Sequence, residues 1–385
     1  KCFDTINRNL LWPVLLKNGI RGKLFCCIRS MYVTVKARIR CGARLTDYVN
    51  CSLGVKQGDT CSPVLFSIFI NELAIEVINN GRHGVTLSLD AFELFILLLA
   101  DDVVLLSETV VGLQTQLNSL QRAASRLCLK VNVDKSDIVV FRKGGYLAAR
   151  ERWFFDGNVM LVVNAYKYLG IYFSTRLSFV AACRDIASKA KKALLCIMQR
   201  LRVYNNQSLD VFLRLFDAQV QPIMQYGSEV WGLDKAAQHC EKVHLFALKK
   251  FLSVNMRTPN DFVYNELNRY PITINSIVSC IRYWLKIVQM DDHRLPKKAY
   301  LMLYNLDAKG KTTWVSNVRL CLFQYGFGFV WMNQSVGGVN EFLRVFKGTT
   351  IVASASGRAP YMAHRAQCLY VPRYARRPRP QNCVD

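Results

Sequence analysis

Leu94–Ser107 reads LFILLLADDVVLLS, two apolar runs separated by a pair of aspartates, Asp101 and Asp102. Each run has the length and composition of a buried strand, and neither is long enough to cross a bilayer. The pattern predicts a two-stranded hairpin with the acids at its turn. Adjacent carboxylates repel, and burying them costs free energy unless cations or donors compensate. One chemistry that uses such a pair is phosphoryl or nucleotidyl transfer, in which carboxylates hold two divalent ions roughly 3.5–4 Å apart around an in-line displacement. A solvated turn that carries two acids fits the stretch equally well. The rest of the chain has to decide between them.

The 385 residues are too many for one core and predict two or three domains. A hydrophobic content of 51% excludes wholesale disorder. Against 27 Asp and Glu stand 51 Lys and Arg, a formal charge of +24. Such an excess points to a polyanionic partner, nucleic acid before an anionic membrane, because no basic amphipathic helix accompanies a membrane span. The 14 cysteines are scattered, with Cys26-Cys27 the one close pair, and the five histidines (His83, His239, His244, His293, His364) are dispersed. No zinc site is therefore expected, and the cysteines read as reduced thiols of a nuclear or cytoplasmic protein. The chain opens abruptly at Lys1, without a signal peptide.

Lys1–Tyr32 reads as two helices broken at Asn18-Gly19, and Val33–Arg40 and Leu45–Ser52 as strands joined at Cys41-Gly42. Gly54–Leu73, GVKQGDTCSPVLFSIFINEL, is a glycine-flanked loop entering an apolar helix. Asp59, Thr60 or Ser62 could cap that helix, and Pro63 suits its first turn. Such a loop can approach a phosphate or a base pair closely, or simply join strand to helix. Val85–Leu89 and Phe92–Leu99 follow as strands, then an amphipathic helix over Val111–Leu127. Leu129–Phe141 reads as an Asn/Asp-rich turn, Lys135 and a strand. Phe154–Val163 forms a hairpin about Asp156-Gly157, and Tyr166–Phe173, YKYLGIYF, is one further strand. The order predicts an α+β layer, an antiparallel sheet with helices on one face. From Phe179 to about Met290 the pattern turns helical, led by the basic helix Ala181–Arg202 and followed by Leu209–Tyr226 and Glu241–Val254. Beyond Lys297 the periodicity weakens, Phe342–Val384 holds no acid, and the Arg/Pro-rich end is expected to be disordered.

Taken in this order, the pieces resemble the reverse transcriptases of non-LTR (LINE-like) retrotransposons. KCFDTINR at Lys1 resembles the tail of the first palm motif, GVKQGDTCSPVLF the second, LADD the third, LKVNVDKSDIVVF the fourth and YKYLGIYF the fifth. Leu99 departs from the aromatic usual before the third motif's alanine. The likeness runs from Lys1 to about Phe173, with a looser continuation in FDAQVQPIMQYGSEVWG and NELNRYPITI. It implies a right-hand polymerase palm over residues 1–175, a thumb-like helical region over 176–205, a helical C-terminal region over 206–296 and a basic, poorly defined region over 297–385.

Roles follow position by position. The resemblance makes Asp101 and Asp102 the acids that hold Mg²⁺, or Mn²⁺ in its place. Gln57, between Gly54 and Gly58, would lie against the template and the nascent base pair. Lys135 would stand near the incoming dNTP triphosphate as a proton donor, or be a solvated turn lysine. Phe3 falls where the family has the bulky gate against the sugar 2′-position, although a core aromatic is the plainer alternative. Tyr168, Leu169 and Gly170 would hold the primer end, or the first two would be core. Lys189, Lys191 and Lys192 would follow the nucleic-acid backbone. The partners implied are an RNA template, a DNA primer and dNTP, with no membrane. The family's first metal-binding aspartate would fall before Lys1, and Asp4 is the motif's later acid, suited to capping a helix that starts near Thr5. The 385 residues alone are accordingly expected to be an inactive polymerase fragment. The alternatives are a non-catalytic nucleic-acid-binding remnant and a maturase-like RNA-binding protein.

Overall fold

The computed structural model describes residues 2–81, 83–87, 92–142, 144–203 and 208–356, and the chain divides into two compact units, residues 1–164 and 165–385. The arginine-rich tail, with the disorder expected of it, lies outside the described residues.

Three helices organise the first unit. The helix Arg8–Lys17 begins after Asn7, whose side chain accepts a hydrogen bond from the Asn9 amide. Asn7 is thus the cap expected of Asp4, which lies inside the short helix Cys2–Thr5. An Asx side chain reaches the free amides only when it immediately precedes the first turn. The helix Ser62–Asn79 carries its proline in the first turn and buries Leu65, Phe66, Phe69, Ile70, Leu73 and Val77, the spacing of one apolar stripe. Cys61 occupies its cap position without a side-chain bond, and Asp59 accepts from the Cys61 amide instead. By length and composition this helix could cross a membrane, but half of it is buried, packed against Arg8–Lys17 and Val110–Arg126. The last of these starts at Thr109, whose hydroxyl accepts from the Gly112 amide.

The strands are short. Among the described residues they form seven two-stranded sheets, six in the first unit, rather than the continuous antiparallel sheet expected; the α+β class stands. Lys36–Ala37 pairs with Val49–Asn50 and Arg40–Cys41 with Arg44–Leu45, every paired residue exposed. Val85–Thr86 pairs with Glu93–Leu94, and the intervening residues 88–91 lie outside the described ones. The Asp156-Gly157 turn forms as expected, with both residues at positive φ (49° and 76°), the geometry of a type I′ turn. The strand expected beyond it divides at Met160, whose side chain is buried. Asn158–Val159 stays in the hairpin, while Leu161–Val162 pairs in parallel with Asp137–Ile138.

The second unit begins at Ala165. Residues 165–174 are a tight hairpin, Ala165–Tyr168 against Ile171–Ser174, and not one strand. Leu169 and Gly170 form its turn with φ of 47° and 83°. The β-forming residues on either side conceal the turn, which Gly170 makes possible. The helix Val180–Val203 follows and buries Cys183, Ile186, Ala190, Leu194 and Ile197 against Phe212, Phe216 and Ala247. The segment read as one helix over Leu209–Tyr226 widens into a π-turn at Phe216–Val220. Pro222 has no amide to donate to Ala218, which breaks the regular ladder there. Residues 295–356, where the sequence periodicity is weak, form the helices Leu295–Ala308, Trp314–Gln324, Gly328–Asn333 and Val339–Ser356. With Thr273–Val288 they enclose a core around Trp284, Val315, Leu322, Trp331 and Phe346.

Candidate functional site

The aspartate pair sits at the tip of the hairpin formed by Ile96–Leu99 and Asp102–Leu105. Leu99 faces Asp102 as the last paired residues, so Ala100 and Asp101 make the turn. Ala100 has φ of 52°, a left-handed conformation that glycine usually supplies in such a turn. Ile96, Leu98, Val103 and Leu105 pack on the core; by strand alternation Leu97, Leu99, Asp102 and Val104 share the opposite face. The strands are half-buried, not buried as expected, and both aspartates are exposed. The desolvation cost that a buried pair would carry therefore does not arise.

Among the described residues neither aspartate makes a side-chain hydrogen bond or ion pair. Two adjacent carboxylates that no cation offsets, held by strands anchored on one face, fit a divalent ion. Mg²⁺ is commonly held by one or two carboxylates, with waters and substrate phosphates completing its shell. For a second ion the pair is insufficient, and among the described residues no cluster of three or more His, Cys, Asp or Glu could hold a metal.

The glycine loop is tied to the start of the chain. The Gly54 amide donates to the Ile6 carbonyl and the Val55 amide to the Phe3 carbonyl, both at 2.8 Å. Arg8, only 8% exposed, donates from Nε to the Gly54 carbonyl (2.7 Å) and from Nη2 to the Leu53 carbonyl (2.9 Å). Its guanidinium also lies over the Tyr32 ring, 5.1 Å from the centroid. A Cβ at Gly54 would fall 2.7 Å from the Asp4 backbone. This corner presents Gln57 and Gly58 on an exposed turn, where Gln57 Nε2 donates to Asp4 Oδ1 at 3.0 Å. The structure thus brings Phe3, Asp4, Gly54 and Gln57 together. Phe3 itself stacks on Phe66, with centroids 4.3 Å apart and planes 7° from parallel, and packs on the core. Lys135 is exposed at the end of the 3₁₀ turn Val133–Lys135.

The other expected site residues belong to the second unit. Tyr168 pairs with Ile171, and Leu169 and Gly170 form the hairpin tip, where the Tyr226 hydroxyl donates to the Leu169 carbonyl at 2.7 Å. On the basic helix, Asp185 binds both Lys167 (2.7 Å) and Lys189 (2.9 Å). Burial acts to raise the Asp185 carboxyl, but the hydrogen bonds from Lys167 and Lys189 outweigh it and hold it below the usual carboxylate range. Lys189 is therefore partly neutralised. Lys191 lies 4.9 Å from the Phe246 ring centroid, and Lys192 is exposed. Sequence reading missed Arg8 and Tyr226. The signal for Arg8 was a lone cation between the apolar positions Ile6 and Leu10; for Tyr226 it was the Tyr-Gly step before a short helix.

Comparison with known proteins shows what the chain is similar to. The family model described as reverse transcriptase (RNA-dependent DNA polymerase) matches residues 1–173. A Retrovirus-related Pol polyprotein from type-1 retrotransposable element R2 of Popillia japonica is 24% identical over 276 residues, 69% of this chain and 43% of that protein. The RNA-directed DNA polymerase from mobile element jockey of Drosophila melanogaster is 24% identical over 204 residues, 51% of this chain and 21% of that protein. A probable RNA-directed DNA polymerase from transposon BS, also of Drosophila melanogaster, is 28% identical over 190 residues, 47% of this chain and 20% of that protein. The chain thus spans less than half the length of these relatives, from 20% to 43%.

Proposed function

We propose, from the premise that residues 1–173 belong to the reverse transcriptases of LINE-like, non-LTR retrotransposons, that they form the palm of an RNA-directed DNA polymerase. The reaction joins the primer 3′-oxygen to the α-phosphorus of a dNTP paired with an RNA template, and pyrophosphate leaves. The observation that carries this reading is the exposed Asp101–Asp102 tip, which has no cation partner among the described residues and is borne on strands that grip the core. When bound, divalent cations (Mg²⁺, or Mn²⁺) would offset the charge that develops on the reacting phosphate.

The remaining roles rest on position. Gln57 and Gly58, presented by the corner that Arg8 and Gly54 build, face the template and nascent pair. Phe3 screens the sugar 2′-position with a ring braced on Phe66. Lys135 neutralises or protonates the leaving pyrophosphate. Tyr168, Leu169 and Gly170 hold the primer end, and the helix Val180–Val203, as the thumb, follows the duplex through Lys189, Lys191 and Lys192.

Positioning and charge stabilisation supply most of phosphoryl-transfer catalysis, and two mutually repelling cations need a third carboxylate beside the pair. Asp4 is engaged with Gln57. Taken alone, the 385 residues are therefore expected to bind primer–template without extending it. The test is primer extension on an RNA template in Mg²⁺ and in Mn²⁺, with these residues alone and with a longer polypeptide supplying the first-motif aspartate. Extension by the longer form that disappears in Asp101→Ala supports the reading. Asp101-independent synthesis would remove the assigned site, while Asp101-dependent synthesis by the 385 residues alone would make Asp4 the third acid.

A further inference from the structure

The stretch Tyr226–Gly232, YGSEVWG, is built around the tip of the hairpin at Leu169-Gly170. The Tyr226 hydroxyl donates to the Leu169 carbonyl at 2.7 Å. Gly170 leaves room for the ring, since a Cβ there would lie 3.1 Å from Tyr226 Cε1. Gly227, left-handed with φ of 70°, leaves room for the hairpin's next residue, a Cβ there lying 2.9 Å from Ile171 Cδ1. The fully buried Trp231 donates its indole N–H to the Tyr226 carbonyl at 3.0 Å and fixes the tyrosine's own backbone. Two glycines, a tyrosine and a tryptophan thus converge on one exposed turn.

Holding the fold together does not account for this tie. Tyr226 is 53% exposed and Leu169 40% exposed, so water competes for the hydrogen bond and its net stabilisation is small. The hairpin is anchored elsewhere, through Ile171 packed on the helical core and through Lys167 bound to Asp185. What the bond does fix is the direction of the turn itself, in which Leu169 holds a left-handed φ of 47° that a leucine rarely adopts. Strain of that kind persists where the surroundings over-determine it.

We infer that Tyr226 is a positioning residue that sets the hairpin tip for the primer 3′ end. The inference rests on the reading of residues 168–170 as the primer-holding turn. The tyrosine acts through Leu169 and need not touch the nucleic acid. Its loss therefore affects recognition of an end, while contacts to the duplex backbone, which carry no end information, persist.

The experiment measures the affinity of the 385-residue chain for an RNA–DNA primer–template with a recessed 3′ end and for a blunt duplex of equal length, by fluorescence anisotropy. In Tyr226→Phe, which keeps the ring and removes the bond, the preference for the recessed end falls about twofold, the small worth of one solvent-exposed hydrogen bond. Affinity for the blunt duplex and the melting temperature stay as in the wild type, which a merely structural role would not allow. Leu169→Ala separates the inference from its premise. If Leu169→Ala abolishes end preference and Tyr226→Phe retains it, the tyrosine's role is overturned and the primer-holding turn stands. If the wild type shows no end preference, or Leu169→Ala keeps it, the turn's assignment fails and the inference with it.

Discussion

Gly54 is the residue on which the loop corner depends. Its φ of 80° lies where side chains are strained, and its α-hydrogen faces the Asp4 backbone at a distance no Cβ can share. Arg8 completes the corner because a planar guanidinium can donate to two adjacent carbonyls at once; a lysine, a single point charge, could not reproduce that fork. Gly54→Ala combines backbone strain with overpacking, and a destabilisation of about 2–4 kcal/mol follows. The amides of Gly54 and Val55, bonded to Ile6 and Phe3, should lose protection in hydrogen exchange first. Native-like protection of both amides in the variant would mean that the corner relaxes without cost. Glycine was legible here as a loop former, but Arg8 was not legible as buried, since nothing local distinguishes a cation that will meet carbonyls from one that will meet water.

At the scale of elements, Glu241 ties three helices of the second unit. It lies in Gln238–Phe251 beside His244, accepts from the Tyr264 hydroxyl (2.6 Å) of Asn260–Glu266, and caps Thr273–Val288 by accepting from the Thr273 amide (3.0 Å). Burial acts to raise this carboxyl, yet the hydrogen bond and charge of His244, followed by the bonds from Tyr264 and the Thr273 amide, hold it below the usual carboxylate range. A depressed carboxyl stabilises the fold fully above its unfolded pKa of about 4.3. That stability is lost as pH falls through the folded value, because the unfolded chain takes up the proton first. Glu241→Gln puts an amide N–H₂ among donors and should cost about 2 kcal/mol at pH 7. Urea titrations between pH 7 and pH 3 should show the variant's stability declining less on acidification than the wild type's. Parallel pH profiles for the two proteins would remove Glu241 as a determinant of acid stability. The helices themselves are legible from their apolar stripes; the network is not, because its members are spread from Glu241 to Thr273 and converge only once those helices pack.

The whole molecule carries a formal charge of +24, and its binding to nucleic acid should be governed by phosphate contacts and weaken steeply with salt. The three lysines proposed for the backbone are not equivalent in the fold. Lys189 shares Asp185 with Lys167, whereas Lys192 is exposed and, among the described residues, has no such acid. Replacing Lys189, Lys191 and Lys192 together by Ala should flatten the slope of log K against log salt by about 2, at about 0.9 per duplex phosphate contact. Lys192→Ala alone should account for more of this than Lys189→Ala. A triple variant that keeps the wild-type slope would exclude the helix Val180–Val203 from the nucleic-acid path.

The sequence by itself determined the hairpin that bears Asp101-Asp102, the helix after Ser62-Pro63, the Asp156-Gly157 turn and the order of motifs that places residues 1–173 among reverse transcriptases. Those features are written in local periods and turn residues, which act over a few positions and need no partner. Only the tertiary structure decided that Leu169-Gly170 turns within an apparently continuous strand, that Arg8 is buried against carbonyls 45 and 46 residues away, and that Tyr226 reaches Leu169 across 57 residues. It likewise decided that residues 295–356 close a core around Trp284 and Trp331. For Arg8, Tyr226 and residues 295–356 the deciding contact joins distant segments, which no local pattern encodes; the Leu169-Gly170 turn is local, but the β-forming residues on either side conceal it.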